Sequence, residues 1–242
     1  MPDERRLKDL VEFGTLDDLR LALESYGNRL LAVCSWIVSN RERDNAGLAL
    51  YNLLSGVVPF VQIARQHLLG HIQILAFCAR NVFEINLRTR HVLQSAANLQ
   101  QWMAECVADN IEVLEGILQL RDTASPGDIA ILETEIERLR SVARRHGITD
   151  SAKLLAVPDL AKAVGQEVEY RALFKLYSKL VHPSSYLLNR SADEVRESVI
   201  RQILVIRLQL YGYDLLERIR ERLKVPEDVV GSHEMGRPGS DA

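Results

Sequence analysis

LDDLRLALESYGNRLLAVCSWI, residues 16–37, decides the fold class. Leu16, Leu19, Leu23, Tyr26, Leu30, Val33 and Ile37 return every three or four residues. That is the period of a helix with one buried face. No run of alternating apolar and polar residues answers it elsewhere, so strands are not expected. The reading is all-α, a single-domain helical bundle over residues 1–225.

The same period continues outward from this segment. After a pause at Asn40 to Asn45, a helix is expected over Ala46 to Gly56, with Pro59 as a break or kink. An apolar helical stretch runs from Phe60 to Ala97, with Gly70 as an interruption. Leu99 to Leu120 reads as the next helix, with Trp102, Cys106, Val113 and Ile117 inward. Ser125, Pro126 and Asp128 form a helix start. Ile129, Leu132, Ile136, Leu139 and Ala143 then make a narrow apolar seam ending before Gly147. Residues 99–146 therefore read as an antiparallel helical hairpin, either projecting from the bundle or packed within it. A short helix near Pro158 to Val164, another over Gln166 to Val181 stopped by Pro183, and a long one over Ala192 to Leu223 complete the set. From Pro226 the composition turns to Gly, Ser, Asp and Pro, and residues 226–242 read as a disordered tail.

Of 242 residues, 47% are hydrophobic and 26% charged, enough to build a core without disulfides or metals. The net charge of -3 gives no general attraction for nucleic acid. Cys34, Cys78 and Cys106 lie far apart in apolar helical stretches and read as buried, reduced thiols of a cytoplasmic protein. Met1 to Leu10 has no apolar signal core. The stretch Ile72 to Leu87 carries Gln73, Arg80, Asn81, Glu84 and Asn86, so no membrane span is expected. Phosphate loops, dinucleotide fingerprints, zinc-helix motifs and nucleophile elbows are absent. His67 and His71 stand at i, i+4 with no further ligand near them in sequence, so neither a metal nor a cofactor is expected.

Two segments hold the candidate chemistry. On the helix through residues 72–94, Gln73, Arg80, Glu84 and His91 fall on one stripe, with Arg88 beside it. The stripe is either a solvent face or a polar seam against another helix. Downstream, EYRALFKLYSKLVHPSS spans residues 169–185. Arg171, Lys175, Ser178 and His182 lie along one flank of that helix, a ridge suited to phosphate. His182 precedes a proline and so leaves the helical region at the helix end, where an imidazole can serve as acid or base. The other reading has His182 capping its own helix and Ser184 capping the next.

These segments resemble an uncharacterised bacterial helical family, a domain of unknown function. Its pattern of Arg-x-x-(Phe/Tyr)-Glu followed by Tyr, Phe, Ser and His at intervals of four matches Arg80, Phe83 and Glu84, then Tyr170, Phe174, Ser178 and His182. The likeness covers about residues 70 to 190. A weaker resemblance extends to HEPN-type bundles, many of them toxin or phage-defence ribonucleases that dimerise to join two motifs. Aligned on His182, Ser178 takes the polar position and Tyr177 stands where that motif has arginine. The resemblance implies a homodimer acting on RNA or binding a nucleotide phosphate. Arg80, Glu84, Ser178 and His182 would be catalytic, and Arg171, Lys175, Tyr177 and Ser184 would bind ligand. The competing reading is a non-enzymatic interaction module in which the same polar residues fix helix register.

Overall fold

A computed structural model describes residues 10–41, 44–120, 122, 124–148, 155–189 and 194–230. All regular structure among them is helical. In chain order the helices are α1 (Leu16–Asn40), α2 (Asn45–Gln66), α3 (Ile72–Gln94), α4 (Ala96–Leu118), α5 (Pro126–Arg145), α6 (Val157–Ala163), α7 (Glu167–Glu169), a π turn (Tyr170–Phe174), α8 (Lys175–Val181), α9 (Ser185–Leu188), α10 (Glu194–Leu223) and α11 (Glu227–Val230). The chain divides into two compact units, Met1–Arg90 with Ala161–Ala242, and His91–Leu160.

In the first unit α1 starts at a reciprocal cap. The Thr15 hydroxyl accepts from the Asp18 backbone N–H, and the Asp18 carboxylate accepts from the Thr15 backbone. The Thr15 hydroxyl also donates to that carboxylate at 2.6 Å, and this bond, with the one from the Thr15 backbone, holds the Asp18 carboxyl below its usual range. The stripe read from sequence is the buried one, with Leu23, Tyr26, Leu30 and Val33 almost wholly enclosed. It packs against α2, whose Leu50, Leu54 and Val57 are buried in turn, and against α10.

Pro59 does not end a helix. α2 runs through it to Gln66, because the ring lies on the exposed side while Val57, Val58 and Val61 stay buried on either side of it. The break falls at residues 67–71, around Gly70. There the Arg201 guanidinium donates to the carbonyls of Leu68 and Gly70 at 2.6 and 3.0 Å. α2 is also the described helix long and apolar enough, by composition, to cross a membrane. The helix holding residues 72–87 does not meet that measure, and in α2 Leu50, Leu53, Leu54, Val57 and Val61 are buried inside the protein.

α3 and α10 meet through Phe83 and Tyr211, ring centroids 4.8 Å apart. Asn86 donates to the Tyr211 carbonyl at 2.9 Å and to the Asp214 carboxylate at 2.8 Å. Arg90 and Arg218 also donate to Asp214. This buried carboxylate is thus paired on both flanks. Beyond α10, Lys224 adopts a positive φ of 56° and Val225 donates to the Arg220 carbonyl. Glu227–Val230 then form α11, which packs on α1. Of the tail expected over residues 226–242, Glu227–Val230 are thus helical, and Gly231 to Ala242 lie outside the described residues.

In the second unit α4 and α5 form the hairpin. Ser125 caps α5, its hydroxyl accepting from the Asp128 N–H at 3.2 Å. The α5 seam faces inward, with Ile136 and Ala143 buried. Arg140 bridges to Glu115 of α4 at 2.6 Å. On α4 the inward stripe differs from the expected one. Cys106 is exposed, and Val113 and Ile117 are 60% and 47% exposed, while Glu105 and Ile111 are buried. α4 carries two apolar stripes, and only packing against α5 selects between them.

Candidate functional site

Arg80 sits on α3 between two remote parts of the first unit. Its Nε donates to the Glu84 carboxylate one turn on, at 2.9 Å. Its Nη1 meets Nε2 of His182 at 3.1 Å, across 102 positions of sequence. Its guanidinium lies over the Phe174 ring, 4.7 Å from the centroid. Phe174 in turn stacks on Tyr170 at 4.7 Å. A guanidinium only donates, so His182 meets it as an acceptor, with the ring proton on Nδ1. Of Arg80's five N–H groups, one is on Glu84 and one on His182. The remaining three have no partner among the described residues. The pocket opens to solvent: the side chains of Arg80 and Glu84 are 24% and 31% exposed, and His182 is exposed.

His182 reaches this position because α8 ends there. Its backbone turns extended, φ −93° and ψ 152°, while its N–H still donates to the Ser178 carbonyl. The ring is thus freed from the helix it terminates, as the following proline suggests. Arg80, Glu84 and His182 therefore converge, with Phe174 beneath them.

The other expected residues do not join them. Ser178 contributes its carbonyl to the end of α8. The Ser184 hydroxyl accepts from the Leu187 N–H and donates to the Lys179 carbonyl, so it starts α9 rather than facing a ligand. Arg171 turns away to Glu167 at 2.7 Å. Lys175 is exposed at the other end of the π turn. The continuous flank expected through these positions assumes 100° per residue. A π turn accommodates an extra residue and breaks that count.

Tyr177 faces inward rather than toward ligand and is 0% exposed. Its hydroxyl lies 3.0 Å from that of Tyr211, which donates to Glu169 at 2.7 Å. Since the Tyr211 proton is given to Glu169, Tyr177 is the donor in their contact. Arg207 completes the set, donating to Glu169 at 2.8 Å. Burial pushes both phenols far above the ordinary tyrosine range. Sequence reading passed over Glu169, Arg207 and Tyr211. Glu169 and Phe174 lie inside the quoted segment, but nothing local marks residues 207 and 211, which sit on a helix of ordinary period.

Neither curated proteins nor solved structures match the chain. One family model does, that of a family of unknown function (DUF5677), over residues 67–198. That span holds Arg80 and Glu84 at one end and Phe174 and His182 at the other, and the chain belongs to this family.

Proposed function

We propose that the pocket of Arg80, Glu84, Phe174 and His182 receives a phosphate of RNA and that His182 moves the proton during its cleavage. The contact between Arg80 and His182 carries this reading. It sets a forked cation with spare donors beside an imidazole nitrogen that holds a lone pair. Glu84 orients the guanidinium, and the Phe174 face supports it from below.

In this scheme the Arg80 fork takes two non-bridging phosphate oxygens and releases Nε2 of His182. Nε2 accepts the proton of the adjacent ribose 2′-hydroxyl, whose oxygen attacks phosphorus. The bond to the 5′-oxygen breaks, and the proton passes from His182 to that leaving oxygen. The products are a 2′,3′-cyclic phosphate and a 5′-hydroxyl. The HEPN-type resemblance adds a homodimer with two such pockets side by side, in a stress or phage-defence setting. Tyr177 cannot replace the arginine of that motif, being buried. Arg80 supplies the guanidinium from another helix.

Incubation with a broad RNA panel tests the proposal. Cleavage with cyclic phosphate ends, lost in His182→Ala, is expected. RNA left intact by the wild-type protein would contradict the enzymatic reading.

A second reading, a non-enzymatic interaction module, draws on the buried set of Tyr177, Tyr211, Glu169 and Arg207. That set can fix helix register with no chemistry. It consists of other residues than Arg80 and Glu84, which leaves the exposed pocket without a purpose on this reading.

A further inference from the structure

The π turn Tyr170–Phe174 is held at both ends by one atom. Glu169, the residue before the turn, accepts from the Tyr211 hydroxyl at 2.7 Å. Tyr177, three residues after it, donates to the same hydroxyl oxygen at 3.0 Å. Tyr211 is itself fixed, 6% exposed, with its ring against Phe83 and its carbonyl accepting from Asn86.

A π turn is an insertion of one residue into an α-helical ladder, and it persists only where surrounding contacts favour it. If residues 167–181 reverted to α-helical spacing, everything beyond the turn would rotate relative to residues before it. Phe174 lies in the turn and His182 at the end of the helix that follows. Both touch Arg80.

We infer that Tyr211 is a positioning residue: its hydroxyl pins the π turn and so sets Phe174 and His182 against Arg80. Among the described residues Tyr211 bonds to Glu169, Tyr177 and Asn86 and not to Arg80, so it acts on the site through Glu169 and Tyr177. Phe83, one turn before Leu87 on α3 and next to Glu84, packs on the same ring. Through it the clamp is referenced to the helix that carries Arg80. The inference rests on the Arg80–His182 pocket as the working site. It does not depend on the reaction proposed for that pocket.

Tyr211→Phe tests it, because this change keeps the ring and removes only the hydroxyl. Two readouts are needed: the ring-nitrogen NMR signals of His182, and the affinity for inorganic phosphate. Wild-type protein should show His182 with its proton on Nδ1. Tyr211→Phe should remain helical, lose that preference and bind phosphate about tenfold more weakly as the Phe174 support shifts. Tyr177→Phe removes a single arm and should give the same changes in smaller measure, and it stands in if Tyr211→Phe does not fold. Unchanged His182 signals in a folded variant overturn the inference. Wild-type protein that ignores phosphate, while Tyr211→Phe still changes the His182 signals, upholds the clamp and sinks the phosphate reading instead.

Discussion

Arg80 serves as cation, hydrogen-bond fork and aromatic cover at once, and a lysine can replace only the first of these. Arg80→Lys should therefore weaken phosphate binding, measured by calorimetric titration, while leaving the thermal melt nearly unchanged. The ion pair with Glu84 is partly exposed and screened, so Glu84→Ala should alter stability by less than about 1 kcal/mol in urea unfolding. A loss of several times that would assign the pair a structural role. Tyr26 offers the opposite case. Its hydroxyl is fully buried with no partner among the described residues, pressed against Gly212, where a Cβ would overlap it. Leaving such a group unsatisfied costs about 1–3 kcal/mol. Tyr26→Phe should hold or raise the urea midpoint. Gly212→Ala should lower it, since overpacking costs about 1–3 kcal/mol of stability.

At the scale of elements, periodicity was a good guide where one stripe was apolar and a poor one where two were. α1 and α5 have single stripes, and Leu23, Tyr26, Leu30, Ile136 and Ala143 are buried as their spacing implies. α4 has two, and the tertiary contact with α5 chose the one that leaves Cys106 outside. A thiol reagent applied to the folded protein should thus label one cysteine, Cys106, and reach Cys34 and Cys78 only after denaturation. Labelling of all three in the native state would show that α4 is not uniquely at fault and that the core is open. The π turn was invisible for a different reason. Helical spacing in sequence counts 3.6 residues per turn, and the insertion is stabilised by Tyr211, thirty-seven positions beyond Phe174 by residue number. Half of the pocket was legible nonetheless. Arg80 and Glu84 share a stripe, and Pro183 frees His182 from its helix. That the two meet depends on chain topology, which no local pattern encodes.

Across the whole molecule the core is rich in groups that burial keeps protonated. Burial pushes the Cys34 thiol up to about 11 and the Cys78 thiol up to about 12. The phenols of Tyr26, Tyr177 and Tyr211 are raised as well. For an acid whose folded pKa lies above its unfolded one, the folded state holds the proton more firmly. Its contribution is complete below the unfolded thiol range, near pH ~8.5, and is lost as pH rises toward the folded value. Stability in urea should therefore fall between pH 8 and pH 11, and the fall should be shallower in a Cys34→Ala, Cys78→Ala double variant. An equal slope in that variant would place the alkaline sensitivity elsewhere.

The joining of α3 to the end of α8 is tested most directly by a double-mutant cycle on the affinity for inorganic phosphate, using Arg80→Ala, His182→Ala and the two combined. Residues that share one pocket should be coupled, the combined loss falling short of the sum of the single losses by about 0.5 kcal/mol or more. Losses that simply add would contradict a common site, and a wild-type protein with no affinity for phosphate would sink the phosphate reading instead.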